Sequence, residues 1–334
     1  MAWTVLIPDR LAPPADVEQG ELGPDFKVIL GQTSDASKIP DRLWGEVDAV
    51  IAWHDIQIGA EVIRKLKTCK IIVRCGVGFD SVDLQAAGTR GIPVCNVPDY
   101  GTEDVADHTL ALLLSLMRGL AAYDESSRKP DGWAWDAAGP LKRLSGAKLG
   151  LVGMGRIGSA VALRAKAFGM KVSFYDPYLP DGYDKVFGVL RASSLKNLLQ
   201  DLDAVSIHVP LTAETRHLVS TDFFSHLKAG AILINTARGA VVDTQALEHA
   251  LRSGHLRSAG LDVLEIEPPE SGNSLMEAWR KNESWLSHRL IITPHCAFFC
   301  SEAFQEMRRK ASRTVRDFLK KNALRNVVNR QWLT

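Results

Sequence analysis

The sequence predicts an α/β protein with two doubly wound parallel sheets, and three observations support this class. Short apolar stretches alternate with helical patterns along most of the chain, which is typical of parallel sheets covered by helices. A glycine-rich turn joins one apolar stretch to a helical pattern near the middle. The 334 residues also exceed what one ordinary hydrophobic core organises, so we expect two domains.

In the first third of the chain, five strands are predicted with helices between them. The polar segment after the first strand is expected to be a loop through Pro24, and a helix is expected over Ile58–Leu66. A long apolar helix opens at Thr102, with Val105–Leu120 as its body. The predicted strands are Thr4–Pro8, Phe26–Leu30, Ala49–Trp53, Lys70–Arg74 and Pro93–Asn96.

Residues 124–141 combine charges, prolines and glycines, which indicates an irregular crossing segment. Trp133 and Trp135 stand in this otherwise polar stretch. Tryptophans in such a setting are expected to pack on a neighbouring surface, and the partner of a homodimer is one candidate.

The second half repeats the alternation of strands and helices. Six strands are predicted: Leu149–Val152, Lys171–Tyr175, Ala204–His208, Ala231–Asn235, Ser258–Val263 and Leu290–Thr293. Helices are predicted over Ser159–Phe168, Leu195–Leu199, Thr221–His226, Thr244–Arg252 and Glu302–Leu319. The polar stretch 270–288 interrupts the pattern and is expected to contain a surface helix.

The glycine-rich turn has the spacing G-x-G-x-x-G at Gly153, Gly155 and Gly158. In dinucleotide-binding proteins the first glycine permits a tight turn, the second admits a pyrophosphate and the third allows close packing of helix and strand. The next predicted strand ends in Asp176, 18 residues after Gly158. A carboxylate there accepts the ribose hydroxyls and repels a 2′-phosphate. The turn therefore predicts a site for NAD rather than NADP.

A second glycine pair follows the fourth predicted strand, in Cys75-Gly76-Val77-Gly78. Its backbone N–H groups could surround a small anion, or the pair could form an ordinary turn from strand to helix. The spacing alone leaves both interpretations open.

Three polar residues follow late predicted strands, where ligands lie in doubly wound sheets. Arg238 could clamp a carboxylate and polarise a carbonyl. His295 could exchange a proton near neutral pH, with Glu267 orienting its ring and stabilising the imidazolium. Each also has an ordinary interpretation: Arg238 as a helix cap, Glu267 as a solvated loop acid and His295 as a core histidine.

The composition restricts the classes of function. With 46% hydrophobic residues, 24% charged residues and a net charge of +1, the chain offers no field for nucleic acid or an anionic membrane. Apolar stretches are too short to span a membrane, and residues 1–30 lack a signal-peptide pattern. Five cysteines without C-x-x-C spacing indicate reduced thiols in a cytoplasmic protein. Cys296 and Cys300, four residues apart, favour packing over a metal site.

An ordered set of motifs resembles the D-isomer-specific 2-hydroxyacid dehydrogenases over nearly the whole chain. They are G-M-G-R-I-G at 153–158, Y-D-P at 175–177, H-V-P-L-T at 208–212, N-T-A-R-G at 235–239, L-D-V-L-E-I-E-P-P at 261–269 and T-P-H at 293–295. The resemblance implies two Rossmann-like or flavodoxin-like domains, with a cofactor domain (104–299) inserted into a substrate domain (1–103 plus 300–334). It also implies a homodimer formed through the cofactor domains.

The same resemblance implies roles for individual residues. His295 would be the acid/base, Glu267 its partner and Arg238 the substrate clamp. Asp262 would hold the nicotinamide carboxamide. The substrate would be bound by Arg74, Cys75, Gly76, Val77, Gly78 and Phe298. The cofactor would be bound by Gly153, Gly155, Arg156, Ile157, Gly158, Asp176, Pro177, His208, Val209, Pro210, Thr215, Thr236, Ala237, Arg238, Asp262 and His295.

Within the family, the C-terminal binding protein branch is the most similar. Segments 74–80, 94–98 and 174–178 resemble that branch, whereas Phe298 replaces its tryptophan and Val105 its threonine. Phe298, Phe299 and Tyr100 could form an aromatic substrate wall, or could be core or dimer contacts.

The expected activity is NAD(H)-linked interconversion of a small 2-oxo acid and its (R)-2-hydroxy acid. The alternative is an NAD-sensing interaction protein like the C-terminal binding proteins.

Overall fold

Two parallel sheets organise the chain, one in each of two units. The computed structural model describes residues 2–333, and one unit is Thr102–Phe298. The other combines the residues through Gly101 with those from Phe299 onward. One α/β unit is thus inserted into another, and the limits lie within two residues of the 104–299 segment expected from the sequence. The predicted α/β class with two parallel sheets is confirmed.

The sheet of the first unit has five strands in the order β2-β1-β3-β4-β5. Residues of β3 and β4 are buried along their whole length, which explains their unbroken apolar sequences. The strands are β1 Trp3–Ile7, β2 Phe26–Leu30, β3 Ala49–Ala52, β4 Ile71–Arg74 and β5 Val94–Asn96. Its helices are α1 Asp16–Leu22, α2 Asp41–Glu46, α3 Ala60–Lys65 and α4 Leu84–Thr89, together with the C-terminal helix Ser301–Lys321.

Helix α1 lies where a loop through Pro24 was expected, so that prediction was wrong. Its buried Glu18 accepts two hydrogen bonds of 2.6 Å from Arg308 of the C-terminal helix. Both side chains are almost fully buried, where a charge is tolerated only with a partner. A bond between residues 290 positions apart stabilises this helix, and local periodicity gives no sign of it.

The sheet of the inserted unit has seven strands in the order β12-β11-β10-β9-β6-β7-β8. Strands β7 and β8 are added on one side of β6, and β9 to β12 on the other side. The strand order therefore switches between β6 and β9, and in such sheets a crevice opens at the carboxyl ends of the two strands. The strands are β6 Lys148–Val152, β7 Lys171–Tyr175, β8 Leu190–Arg191, β9 Ala204–Ile207, β10 Ala231–Asn235, β11 Leu256–Leu261 and β12 Leu290–Ile292. Every cofactor residue expected from the sequence follows the carboxyl end of a strand. Asp176 and Pro177 follow β7, and the others lie in the glycine turn after β6, at the start of the helix behind that turn, or in the loops after β9, β10, β11 and β12.

Helices cover both faces of this sheet and enclose two apolar cores. They are α5 Thr102–Arg118, α6 Leu120–Ser127, α7 Arg156–Ala167, α8 Tyr183–Phe187, α9 Leu195–Leu199, α10 Thr221–His226, α11 Thr244–Arg252 and α12 Ser274–Arg280. The predicted irregular segment 124–141 therefore begins inside a helix. Beyond α6, Trp133 and Trp135 are 91% and 87% exposed on this chain.

Among the described residues, no single helix is long and apolar enough to cross a membrane. The bent pair Thr102–Arg118 and Leu120–Ser127, which meet at 59°, passes the same length and composition test only when taken together. Cys69, Cys75 and Cys95 are buried, and Cys296 and Cys300 are half-buried.

Candidate active site

The glycine turn between β6 and α7 is shaped by close packing on two sides and open space on a third. Gly153 has φ +88°, and a Cβ there would lie 2.7 Å from the His208 carbonyl oxygen. A Cβ on Gly158 would lie 2.4 Å from the Gly153 oxygen. At Gly155 no atom lies within 4 Å of the same position. The turn thus leaves a cradle at Gly155 that fits a pyrophosphate.

Helix α7 begins at Arg156 directly behind this cradle, three residues earlier than predicted. Its first N–H groups and its positive dipole end are therefore at the turn itself, where they favour a bound phosphate. Arg156 and Ile157 form the first turn of the helix.

Asp176 follows β7, and its carboxylate is fixed by the backbone. One oxygen accepts the N–H of Met154 in the glycine turn, and the other accepts the N–H of Tyr178, each at 3.0 Å. Pro177 is the residue between Asp176 and Tyr178. The negative charge is thereby held beside the dinucleotide turn, which fits ribose hydroxyls and disfavours a 2′-phosphate.

The loop after β9 begins with a second histidine, His208, whose surroundings differ from those of His295. His208 shares a 2.9 Å hydrogen bond with Ser206, and burial lowers the pKa of His208 to about 3. This imidazole is therefore neutral at physiological pH. Beyond Val209, Thr215 donates to the Pro210 carbonyl at 2.6 Å and closes the loop.

The loop after β10 is held by Asn235, a fully buried residue that sequence analysis named only as part of a motif. Its amide donates to the Arg238 carbonyl at 2.9 Å and accepts the Ala237 N–H at 3.0 Å. Thr236 shares a 2.8 Å hydrogen bond with Thr109 of α5. These bonds fix the backbone of Arg238 without any ligand. The Arg238 guanidinium donates to the Ala237 carbonyl at 2.7 Å.

Arg238 is brought toward the segment after β11 by its neighbour, Gly239. A Cβ on Gly239 would lie 1.8 Å from the Leu264 oxygen, so only glycine permits this approach. The charge of Arg238 contributes to the electrostatic environment of Glu267.

His295 and Glu267 form the central pair of the site. Nδ1 of His295 lies 2.6 Å from Oε2 of Glu267, and Oε1 of Glu267 accepts the Leu264 N–H at 2.7 Å. Burial opposes ionisation of Glu267, but His295, the Leu264 amide and Arg238 together lower its pKa. The carboxylate is therefore ionised at neutral pH, and its hydrogen bond fixes the orientation of the imidazole ring.

The backbone of His295 has φ +52°, in the left-handed region that non-glycine residues seldom adopt. Asp262 holds this turn: its carbonyl accepts the His295 N–H at 2.7 Å. Its carboxylate, only 1% exposed, accepts the N–H groups of Cys296 and Ala297 at 2.9 Å and the Thr293 hydroxyl at 2.6 Å. The resemblance places Asp262 at the nicotinamide carboxamide, and the structure gives this residue an additional set of hydrogen bonds within the turn.

His108, Asp262 and Cys296 also bring three potential metal-ligand atoms within 4.8 Å of one another. Thr293 lies between two of them and bonds both His108, at 3.0 Å, and Asp262. Burial and the charge of Asp262 raise the pKa of the Cys296 thiol, so it stays protonated. Hydrogen bonding accounts for this cluster.

The predicted substrate segment after β4 belongs to the other unit. Gly76 has φ +146°, and a Cβ there would lie 1.6 Å from the Arg74 guanidinium, which donates to the Cys75 carbonyl at 3.1 Å. Asn96 donates to the Val77 carbonyl at 2.6 Å. The next helix, α4, starts only at Leu84, so the Cys75–Gly78 segment is not a direct turn from strand into helix.

The three candidate aromatic residues are divided between the units. Phe298 ends the inserted unit. Phe299 packs its ring 5.8 Å from that of Phe304, and Tyr100 is buried.

The doubly wound sheet and its glycine cradle define a dinucleotide-binding α/β protein, and comparisons with known proteins specify its kind. The family model "D-isomer specific 2-hydroxyacid dehydrogenase, NAD binding domain" matches residues 110–297. A glyoxylate reductase of Korarchaeum cryptofilum is 35% identical over 322 residues, which cover 95% of this chain and 90% of that relative.

Two further comparisons agree. D-3-phosphoglycerate dehydrogenase of Methanocaldococcus jannaschii is 33% identical over 332 residues, or 97% of this chain, but the chain spans only 59% of that relative's length. The crystal structure of Aquifex aeolicus D-lactate dehydrogenase complexed with NAD and lactic acid superimposes with a TM-score of 0.84 at 32% identity over 95% of each chain.

The chain therefore belongs to the D-isomer specific 2-hydroxyacid dehydrogenase family. It is an NAD-linked oxidoreductase acting on CH–OH groups. The predicted family, enzyme class and cofactor are confirmed, whereas the C-terminal binding protein branch stays a prediction.

The cradle at Gly155 can be tested by adding one methyl group. Gly155→Ala should weaken NADH binding about tenfold, roughly 1.4 kcal/mol, because the methyl group occupies the pyrophosphate's approach. Its melting temperature should stay at the wild-type value, since the site is open. Gly158→Ala, the matched control, should lower the melting temperature because its Cβ meets backbone. Fluorescence titration and thermal unfolding measure both; wild-type NADH affinity in Gly155→Ala would contradict the assignment.

Proposed function

We propose that this protein interconverts a small 2-oxo acid and its (R)-2-hydroxy acid, with His295 as the acid/base. The observation that carries the proposal is the 2.6 Å bond between His295 and Glu267, with Arg238 on the neighbouring loop. All three follow adjacent strands of the sheet that forms the dinucleotide cradle.

When bound, NADH would supply the hydride that C2 of the oxo acid takes up in the reductive direction. His295 delivers a proton to the carbonyl oxygen, which becomes the hydroxyl group. Because Nδ1 faces Glu267, Nε2 is the atom that delivers this proton. In the oxidative direction Nε2 takes the proton back from the hydroxyl group.

Glu267 and Arg238 supply the electrostatic support for this transfer. The ionised carboxylate keeps the imidazole oriented and protonated before the reaction. The guanidinium binds the substrate carboxylate and polarises the carbonyl, so it stabilises the charge that develops on oxygen.

We also propose that the backbone amides of Cys75–Gly78 bind the substrate carboxylate, with Arg74 nearby and Phe298 beside the substrate. Asp262, together with its role in the turn, would contact the nicotinamide carboxamide. The substrate is a small 2-oxo acid; the relatives' names point to glyoxylate and lactate or pyruvate as first compounds to test.

NADH oxidation with glyoxylate, hydroxypyruvate, pyruvate and longer or aromatic 2-oxo acids tests the activity. His295→Ala and Arg238→Ala should each lower kcat/KM by about a hundredfold or more and leave NADH affinity largely intact. His226→Ala, at the last residue of helix α10, is the control and should behave as wild type.

Near-normal turnover in either site variant would refute the assigned roles. No turnover of any acid by the wild-type protein would refute the proposed activity and favour the alternative of an NAD-sensing interaction protein.

We further propose that the protein is a cytoplasmic homodimer in which the arm bearing Trp133 and Trp135 contacts the partner. Two indole rings, each about nine-tenths exposed, form an apolar surface that is costly to leave in water.

Light scattering should therefore give twice the chain mass for the wild type and a single chain mass for Trp133→Ala/Trp135→Ala at micromolar concentration. Trp279→Ala, which alters another exposed tryptophan, should remain dimeric. A monomeric wild type, or a double variant that stays fully dimeric, would contradict the assignment.

A further inference from the structure

Glu265 lies two residues before Glu267 in the same segment, and it also pairs with a histidine. Its Oε1 lies 2.6 Å from Nε2 of His217. Its Oε2 accepts the Thr244 hydroxyl at 2.7 Å. Both glutamates of the L-D-V-L-E-I-E-P-P motif are therefore paired with a histidine, and the proposed reaction uses only the pair formed by Glu267.

The partners of Glu265 come from two other segments of the inserted unit. His217 ends the loop that starts at His208, and its N–H donates to the Ala240 carbonyl at 2.9 Å. Its backbone has φ +54°, again in the left-handed region. Thr244 is the first residue of α11, just beyond Arg238. The Glu265 carboxylate thus joins three segments: the loop 208–217 after β9 (the cofactor loop), the segment that follows Arg238, and its own segment, which carries Glu267.

The Glu267 segment is held from two directions. On one side the backbone of Leu264 packs against Gly239 with no room for a side chain. On the other side Glu265 is bound by Thr244 and His217. Burial opposes ionisation of Glu265, but the hydrogen bonds from Thr244 and His217 lower its pKa, so the carboxylate is ionised and its hydrogen bonds are charge-assisted.

We propose that Glu265 and His217 are positioning residues, which hold the segment of Glu267 in register with the cofactor loop and so keep the His295–Glu267 pair aligned. This inference rests on the proposed function. A displacement of about 1 Å in a reacting group can cost up to a hundredfold in rate, so a lost anchor affects turnover more than folding.

An ordinary surface ion pair would behave differently. The side chains of His217 and Glu265 are 42% and 31% exposed, and pairs of this kind contribute little to stability. If the pair were only structural, its removal would change the melting temperature slightly and leave the pH dependence of turnover unaltered.

The experiment compares His217→Ala with His217→Gln, whose side-chain amide can still donate to Glu265. We expect His217→Ala to lower kcat about tenfold, with a melting temperature within about 2 °C of wild type. The alkaline limb of its pH–rate profile should move to lower pH, because a displaced Glu267 supports the imidazolium less well. His217→Gln should recover most of the rate and of the profile.

Glu265→Gln should fall between the two, since it keeps the acceptor for Thr244 and loses the charge. The control is His226→Gln, which alters a histidine near Asp222 on α10 and should leave rate and profile at wild-type values.

Wild-type rate and pH profile in His217→Ala would overturn the inference, and so would a loss of rate that His217→Gln fails to recover. Both outcomes presuppose an active wild-type protein. A wild type that reduces none of the 2-oxo acids would instead refute the proposed function, and this inference with it.

Discussion

The proposed proton transfer depends on one hydrogen bond, between Nδ1 of His295 and Oε2 of Glu267, and on the backbone conformation that makes this bond possible. A histidine with φ +52° would ordinarily relax toward a more favourable conformation. The Asp262 carbonyl and carboxylate prevent this by accepting three N–H groups and one hydroxyl from the turn. A buried acid thus converts an unfavourable local conformation into a fixed orientation of the imidazole ring.

The same sheet edge presents two histidines with opposite electrostatic environments. His208 has no carboxylate within hydrogen-bonding distance among its described contacts, and burial lowers its pKa to about 3. His295 instead faces Glu267, whose pKa is itself lowered by its partners. The His208 imidazole is therefore neutral beside the dinucleotide turn, whereas the His295 imidazole is hydrogen-bonded to a charged carboxylate. Because burial and neighbouring charges both shift pKa values, position in the sheet alone does not determine chemical role.

Much of this arrangement was predictable from sequence because parallel sheets obey simple topological rules. Residues that follow adjacent strands meet at one edge, so the positions of Arg238, Glu267 and His295 after apolar stretches indicated a common site. What could not be predicted depends on contacts between distant positions. Helix α1 is stabilised by the bond between Glu18 and Arg308, and the Asp262 network and the His217–Glu265 pair link segments that no local pattern connects. Asn235 belongs to the N-T-A-R-G motif, yet only its burial and its two hydrogen bonds show that it holds the loop of Arg238.

The most direct test of the central claim is the pH dependence of 2-oxo acid reduction by Glu267→Gln, which keeps the size of the side chain and removes its charge. The account predicts that kcat falls and that the alkaline limb of the profile moves to lower pH, because the imidazolium has lost its partner charge. A profile that coincides with that of the wild-type enzyme would contradict it.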